Sequence, residues 1–300
     1  MIVVRTVEDL REQVRLAQSK GAVVGFVPTM GFLHEGHLSL LDEARAAGAG
    51  YIVVSIFVNP SQFGPREDFD SYPRDEERDR RLLEARGADL LFAPDVSVMY
   101  PEGSQTTVHV SAVSAPLEGE KRPGHFDGVS TVVAKLLNMV GADLAVFGQK
   151  DAQQCAVIRR MVLDLQIPVR LIFAPTVREA DGLAMSSRNW YLSENERILA
   201  PALHRALLAG AEVLRSGSAD ARAAEKLMAL TLEAWPGVTL DYLAVVDPET
   251  FLAPEDLDRP IVLVGAVRIG NTRLIDNIPL PRSVAGSDGE EQNRVEPATA

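Results

Sequence analysis

From residue 22 the chain alternates short apolar runs with longer amphipathic stretches, and this alternation limits the possible fold more than any other feature. The runs "AVVGFVP" (22–28), "YIVVSIFV" (51–58), "DLLFAP" (89–94), "DLAVFG" (143–148) and "VRLIFAP" (169–175) are rich in Val, Ile and Phe. They show little polar alternation, as strands buried on both faces do. Between them the spacing predicts helices over 36–48, 74–86, 127–140 and 151–164. Strand–helix alternation of this kind predicts βαβ units and a Rossmann-like, doubly wound parallel sheet, an α/β domain spanning residues 1–175.

After residue 176 the pattern changes. Ala/Leu-rich stretches predict two helices near 194–216 and 219–234, followed by "LDYLAVVDP", "RPIVLVGAVRIG" and "NTRLIDNIPL". The last two meet at Gly270-Asn271, a pair that suits a hairpin turn. Residues 176–281 are therefore expected to form a smaller α+β domain. The segment from Arg282, "RSVAGSDGEEQNRVEPATA", has almost no large apolar side chain to bury and is expected to be a disordered tail.

Three hundred residues, 46% hydrophobic and 24% charged, suffice for two packed cores without stapling. The single cysteine, Cys155, excludes an intrachain disulfide and a cysteine-built zinc site, which suits a reducing cytoplasm. Charge at Arg5, Glu8 and Asp9 interrupts the N-terminal apolar run before a signal-peptide core develops, and no run has the length of a membrane span. A net charge of −12 repels phosphate backbones and argues against nucleic acid as a partner. It leaves room for a small anion in a local basic pocket.

Three polar clusters sit where apolar runs end. In "PTMGFLHEGHLSLL" (28–41), His34, Gly36 and His37 fall at a strand-to-helix turn. In a doubly wound sheet, ligands bind beyond the carboxyl ends of the strands, where helix N-termini attract anions. Gly36 would let the backbone approach a phosphate, His37 would aim from the first helical turn, and His34 would reach from the other side. The alternative is a helix cap. A zinc helix needs H-E-x-x-H, and H-E-G-H is one residue short. "FGQKDAQQ" (147–154) offers Gly148, Lys150 as a point charge, and Asp151 near a helix start. "GLAMSSRNWYL" (182–192) places two hydroxyls and an arginine in a flexible-looking loop suited to closing over phosphates, or equally to capping the next helix. The acidic Glu76, Glu77 and Asp79 read as a solvated helix face, and no metal ligand is assigned.

The H-x-G-H and M-S-S-R motifs together resemble the nucleotidyltransferase superfamily that includes class I aminoacyl-tRNA synthetases. Within it, "PTMGFLHEGHLSL", "SIFVNPSQF", "YPR", "HFDGVSTVV", "FGQKDAQQ" and "TVREADGLAMSSRN", in that order, are similar to the pantothenate synthetase family, and "LDYLAVVD" and "TRLIDN" extend the likeness to residue 277. The resemblance implies an ATP- and Mg²⁺-dependent ligase that activates pantoate as pantoyl adenylate, releases pyrophosphate, and then lets β-alanine displace AMP. It implies a cytoplasmic homodimer. It places ATP on Met30, Gly31, Phe32, Leu33, His34, Glu35, Gly36, His37, Gly148, Gln149, Lys150, Asp151, Val177, Met185, Ser186, Ser187 and Arg188. His37, His34, Lys150 and Arg188 are its catalytic residues, Gln62 and Gln154 hold pantoate, and Gln62 with Asn59 meets β-alanine. Neutral amides suit hydroxyl recognition without damping the carboxylate nucleophile. Phe57, Val132, Val133 and Phe147 suit the gem-dimethyl group, or simply the core. Two other readings stay open at this point: an adenylyltransferase of the same superfamily, and a nucleotide-binding module without turnover.

Overall fold

A computed structural model describes residues 1–65, 67–217, 220–281 and 294–295. The chain divides into two compact units. The first contains 1–149, 157–175 and 290–300, and the second contains 150–156 and 176–289.

The first unit holds a sheet with strands β1 (Ile2–Val4), β2 (Val24–Thr29), β3 (Tyr51–Ile56), β4 (Leu90–Phe92), β5 (Leu144–Gly148) and β6 (Arg170–Ala174). These six run parallel in the order β1-β4-β3-β2-β5-β6. The helices along this part of the chain are α1 (Val7–Ser19), α2 (Glu35–Ala46), α3 (Glu76–Ala85), α4 (Val96–Met99), α5 (Glu118–Lys121), α6 (His125–Val140) and α7 (Ala152–Asp164). All five expected strands are present, and the four expected helices match α2, α3, α6 and α7 to within two residues at each end. One core cluster packs Leu38, Leu41 and Ala44 of α2 and Leu83 of α3 against Val27, Ile52, Val54, Leu91 and Val146 of the sheet.

The N-terminal β1 and α1 lie outside the sequence-predicted elements. A three-residue strand carries too little pattern to read, but α1 leaves a signal: Leu10, Val14 and Ala17 are buried at helical spacing, and Thr6 caps it by accepting the Asp9 N–H at 3.2 Å.

The second unit contains α8 (Glu194–Leu199), α9 (Ala202–Arg215), α10 (Ala221–Glu233) and an antiparallel sheet of β7 (Val238–Val246), β8 (Ile261–Ile269) and β9 (Thr272–Leu280). β8 and β9 close at Gly270-Asn271, with Ile269 opposite Thr272. The expected single helix over 194–216 is two. Pro201 has no N–H to continue the ladder, so α8 stops at Leu199 and α9 starts after it. Ala206, Leu207 and Ala211 of α9 and Met228 of α10 pack on Leu263, Val267 and Leu274 of the sheet.

Of the expected tail, Arg294 and Val295 are described as a strand, β10, antiparallel to β6 at the sheet edge. The expectation for 282–293 and 296–300 lies outside the described residues.

Candidate functional site

The order of the parallel sheet reverses between β2 and β5. From β2 the chain winds outward through β3 and β4, whereas β5 and β6 lie on the other side. The crevice beyond the carboxyl ends of these two strands is where doubly wound folds bind ligands. β2 ends at Thr29, residues 30–33 lead from it into H-E-G-H at the start of α2, and β5 ends at Gly148, directly before Gln149 and Lys150.

The turn after β2 takes two successive residues through positive φ. Gly31 has φ +84° and Phe32 has φ +50°. A Cβ on Gly31 would lie 2.9 Å from Ile56 Cγ2, so position 31 needs glycine for both space and conformation. Asp79, 1% exposed on α3, holds this conformation by accepting the N–H of Phe32 at 2.7 Å and of Leu33 at 2.8 Å. The expected solvated acidic face is therefore wrong at Asp79. It lies one helical turn before the buried Leu83, and that i, i+4 relation marks it as core-facing. Burial raises the Asp79 pKa, against the opposing pull of the two N–H donors and Arg78.

His34 is the N-cap of α2, and His37 sits in its first turn. The His34 N–H donates to His37 Nδ1 at 3.4 Å, so the neutral His37 ring carries its proton on Nε2. The two rings lie 4.0 Å apart, tilted by 34°. His34 therefore stands beside His37 and does not reach from an opposite wall, because its cap position turns it along the same helix end. Gly36 follows inside α2, and Glu35 pairs with Arg86. A Cβ on Gly148 would meet nothing within 4 Å.

Gln62 ties this turn to a second cluster. Its Nε2 donates to Met30 Sδ at 3.1 Å, and its Oε1 accepts from Asn59 Nδ2 at 3.1 Å. Asn59 is 1% exposed. Its Nδ2 also donates to the Gly128 carbonyl, and its Oδ1 accepts from Tyr100 at 2.8 Å and from Ser61. The Asn59 amide is thus fully engaged, and one of its bonds holds Gln62. Close approach makes this possible: a Cβ on Gly128 would lie 2.4 Å from the Ser61 carbonyl oxygen.

The Gln62 carbonyl is held in turn by His125 Nδ1 at 2.9 Å, while Arg122 meets His125 Nε2 at 3.1 Å and pairs with Glu67 at 2.6 Å. Burial and the Arg122 charge lower the His125 pKa to about 4, so the ring is neutral, donating from Nδ1 and accepting at Nε2. Sequence reasoning misses this support layer: "HFDGVSTVV" stands out as a motif, but nothing local shows what His125 touches. Phe57, Val132, Val133 and Phe147 are all buried, as core residues are.

In the second unit Lys150 and Asp151 lie in a short 3₁₀ turn (149–151) ahead of α7 and face each other at 3.8 Å. Gln154 is half-buried in the first turn of α7. The Asn277 side chain donates to the Lys150 carbonyl at 2.9 Å.

The loop 182–192, expected to be flexible, is tied down, as is the segment leading into it from Val177. Arg178 bridges Ala184, and the Met185 N–H donates to the Val177 carbonyl at 3.0 Å. Arg178 also grips Asp276 with two bonds, of 2.7 and 2.9 Å. Arg197 pairs with Glu179 and Asp181, and Asn189 bonds Glu179 and the Ala184 carbonyl. Ser186 caps the 3₁₀ turn Ser187–Tyr191 through the Arg188 N–H, while Ser193, not the Ser-Ser pair, caps α8. Ser187 is buried and Arg188 half-buried.

Among the described residues no group of three or more His, Cys, Asp or Glu side chains is arranged to hold a metal ion. Nor is any helix among them long and apolar enough to cross a membrane.

The family model of pantoate-beta-alanine ligase matches residues 2–279. The pantothenate synthetase of Herpetosiphon aurantiacus is 54% identical over 279 residues, 93% of this chain and 99% of that protein. The crystal structure of pantothenate synthetase from Thermus thermophilus superposes with a TM-score of 0.86 at 50% identity, covering 93% of this chain and 99% of that one. The pantoate-beta-alanine ligase of Francisella tularensis, in a structure complexed with beta-gamma ATP and beta-alanine, gives a TM-score of 0.72 at 33% identity, covering 93% and 97%.

Proposed function

Since this chain belongs to the pantoate-beta-alanine ligase family, we propose that it joins pantoate to β-alanine in two steps with ATP as the activating substrate. The observation that carries this reading is the H-E-G-H turn at the sheet's reversal point, where the N-terminus of α2 and the Nε2–H of His37 would meet a nucleotide's phosphates.

In the first step a pantoate carboxylate oxygen attacks the α-phosphorus of ATP. The bond to the bridging oxygen breaks, pyrophosphate leaves, and pantoyl adenylate forms. The carboxylate is ionised at neutral pH, so no base is required. The difficulty is bringing one anion onto another, and fixed donors answer it. His34, His37, Lys150 and Arg188 supply these donors in this reading. Met30–His37, Gly148–Asp151, Val177 and Met185–Arg188 hold the nucleotide.

Gln62 and Gln154 present amides to pantoate. Gln62 also faces β-alanine, with Asn59 acting through it. In the second step the β-alanine amine attacks the acyl carbon and AMP leaves. Magnesium would enter with the phosphates of ATP, which needs few protein ligands.

The decisive experiment is incubation with ATP, Mg²⁺, pantoate and β-alanine, followed by mass detection. Pantothenate, AMP and pyrophosphate are expected; ADP and phosphate would overturn the adenylate route. The family resemblance also supports a cytoplasmic homodimer, for which light scattering should give twice 32.5 kDa and cell fractionation should find the protein in the cytosol.

A further inference from the structure

Strand β9 reads "TRLIDNIPL", and its apolar stretch from Leu274 to Leu280 is interrupted by Asp276 and Asn277, which are 6% and 4% exposed. Buried polar side chains are costly unless they are hydrogen-bonded, so their partners show what they do. Asp276 takes both arms of Arg178 at 2.7 and 2.9 Å, and Arg178 further donates to the carbonyls of Gly182 and Asn277, each at 3.1 Å. His204 approaches the same carboxylate at 3.4 Å. Asn277 Nδ2 reaches the Lys150 carbonyl at 2.9 Å. Two neighbouring residues of one strand therefore hold two segments far apart in sequence, the turn carrying Lys150 and the loop whose Arg178–Ala184 bridge leads directly into Met185–Arg188.

We infer that Asp276 and Asn277 are positioning residues for phosphate binding: Asn277 fixes Lys150 through its main chain, and Asp276 fixes the Met185–Arg188 loop through Arg178. This rests on the reading that Lys150 and Arg188 hold the triphosphate. Bidentate guanidinium–carboxylate pairing fixes both distance and plane, which suits a brace for a loop that must present donors to a transition state. A flexible lysine gains most from a fixed backbone, because its side chain has no rigidity of its own.

Asn277→Leu keeps the branched shape and removes the donor to Lys150, while Asp276→Asn weakens the grip on Arg178. Each should lower adenylate formation by about 10- to 100-fold, mainly through a higher KM for ATP. The rate of the second step, from supplied pantoyl adenylate and β-alanine, should stay within about twofold. In the Lys150→Ala background, Asn277→Leu should cause no further loss. Equal losses in both half-reactions, or losses that multiply with Lys150→Ala, would overturn the inference in favour of a general fold staple. If Lys150→Ala itself leaves adenylate formation intact, the phosphate role fails and takes this inference with it. A strong Lys150→Ala defect beside normal β9 variants would sink the positioning alone. Should Asn277→Leu not fold, Asn277→Ser carries the same expectation.

Discussion

Asp79 Oδ2 accepts the backbone N–H of Phe32 at 2.7 Å across 47 residues of sequence, and the same carboxylate takes the Leu33 N–H through its other oxygen. With Thr29 Oγ1, which accepts the Gly31 N–H at 3.2 Å, this side chain holds the turn that leads into His34 and His37. Asp79→Asn keeps the shape but turns an amide N–H₂ toward one of the two donors. Each lost charge-assisted bond should cost about 1.5–3 kcal/mol. A lower denaturation midpoint together with roughly a tenfold or greater drop in adenylate formation is expected; an unchanged first half-reaction would show that the turn does not depend on its clamp.

Gln62 and Asn59 should separate by kinetics. Gln62→Ala removes the amide offered to the acid substrate and should raise the KM for pantoate well above any change for ATP. Losing a hydrogen bond to a bound hydroxyl should cost about 0.5–1.5 kcal/mol. Asn59→Ala also leaves Gln62 unoriented and removes the acceptor of the Tyr100 hydroxyl at its 2.8 Å contact. It should reproduce the pantoate defect and add a loss of thermal stability. Steady-state kinetics with melting curves test both, and a defect confined to ATP would misplace the amides.

His37 offers Nε2–H toward the phosphates in the proposed reading, so its role belongs to the first step. His37→Ala should slow adenylate formation by about 10²–10³, the loss typical of one preorganised donor. The reaction of supplied pantoyl adenylate with β-alanine should keep most of its rate, since a mutation penalises the step whose transition state the residue contacts. Single-turnover measurement of each half-reaction decides this, and comparable losses would make His37 a proton-transfer group in amide formation.

His125 predicts a pH dependence of stability. Its pKa falls from 6.5 in the unfolded chain to about 4 in the folded one. Between these values the unfolded state binds the extra proton, so stability rises with pH through this window. The full contribution, on the order of 3 kcal/mol, is present above the unfolded pKa and is lost as the pH falls toward the folded one. Denaturant titrations should show this slope in the wild type and a flatter one in His125→Asn, which retains a donor for the Gln62 carbonyl. An equal slope in both would assign the acid sensitivity elsewhere.

The strands and the H-E-G-H turn are legible in the sequence because their signals are local. An apolar run without alternation can bury both faces, and His34 and Gly36 stand where the β2 run gives way to the helical pattern of α2. The loop before Arg188 reads as flexible for the opposite reason. Part of its order comes from Asp276, 98 residues from Arg178, and no spacing within the loop reveals that partner.

By itself, then, the sequence determined the alternating strands and helices, the hairpin at Gly270-Asn271 and the motifs at the strand ends, since each depends on residues a few positions apart. Only the tertiary structure decided that Asp79 is a buried clamp, that Asn59 and His125 steady Gln62, and that β9 braces Lys150 and Arg178. Those roles depend on which distant backbone groups each polar side chain meets once water is excluded, and a buried charge or amide stands or falls with such partners.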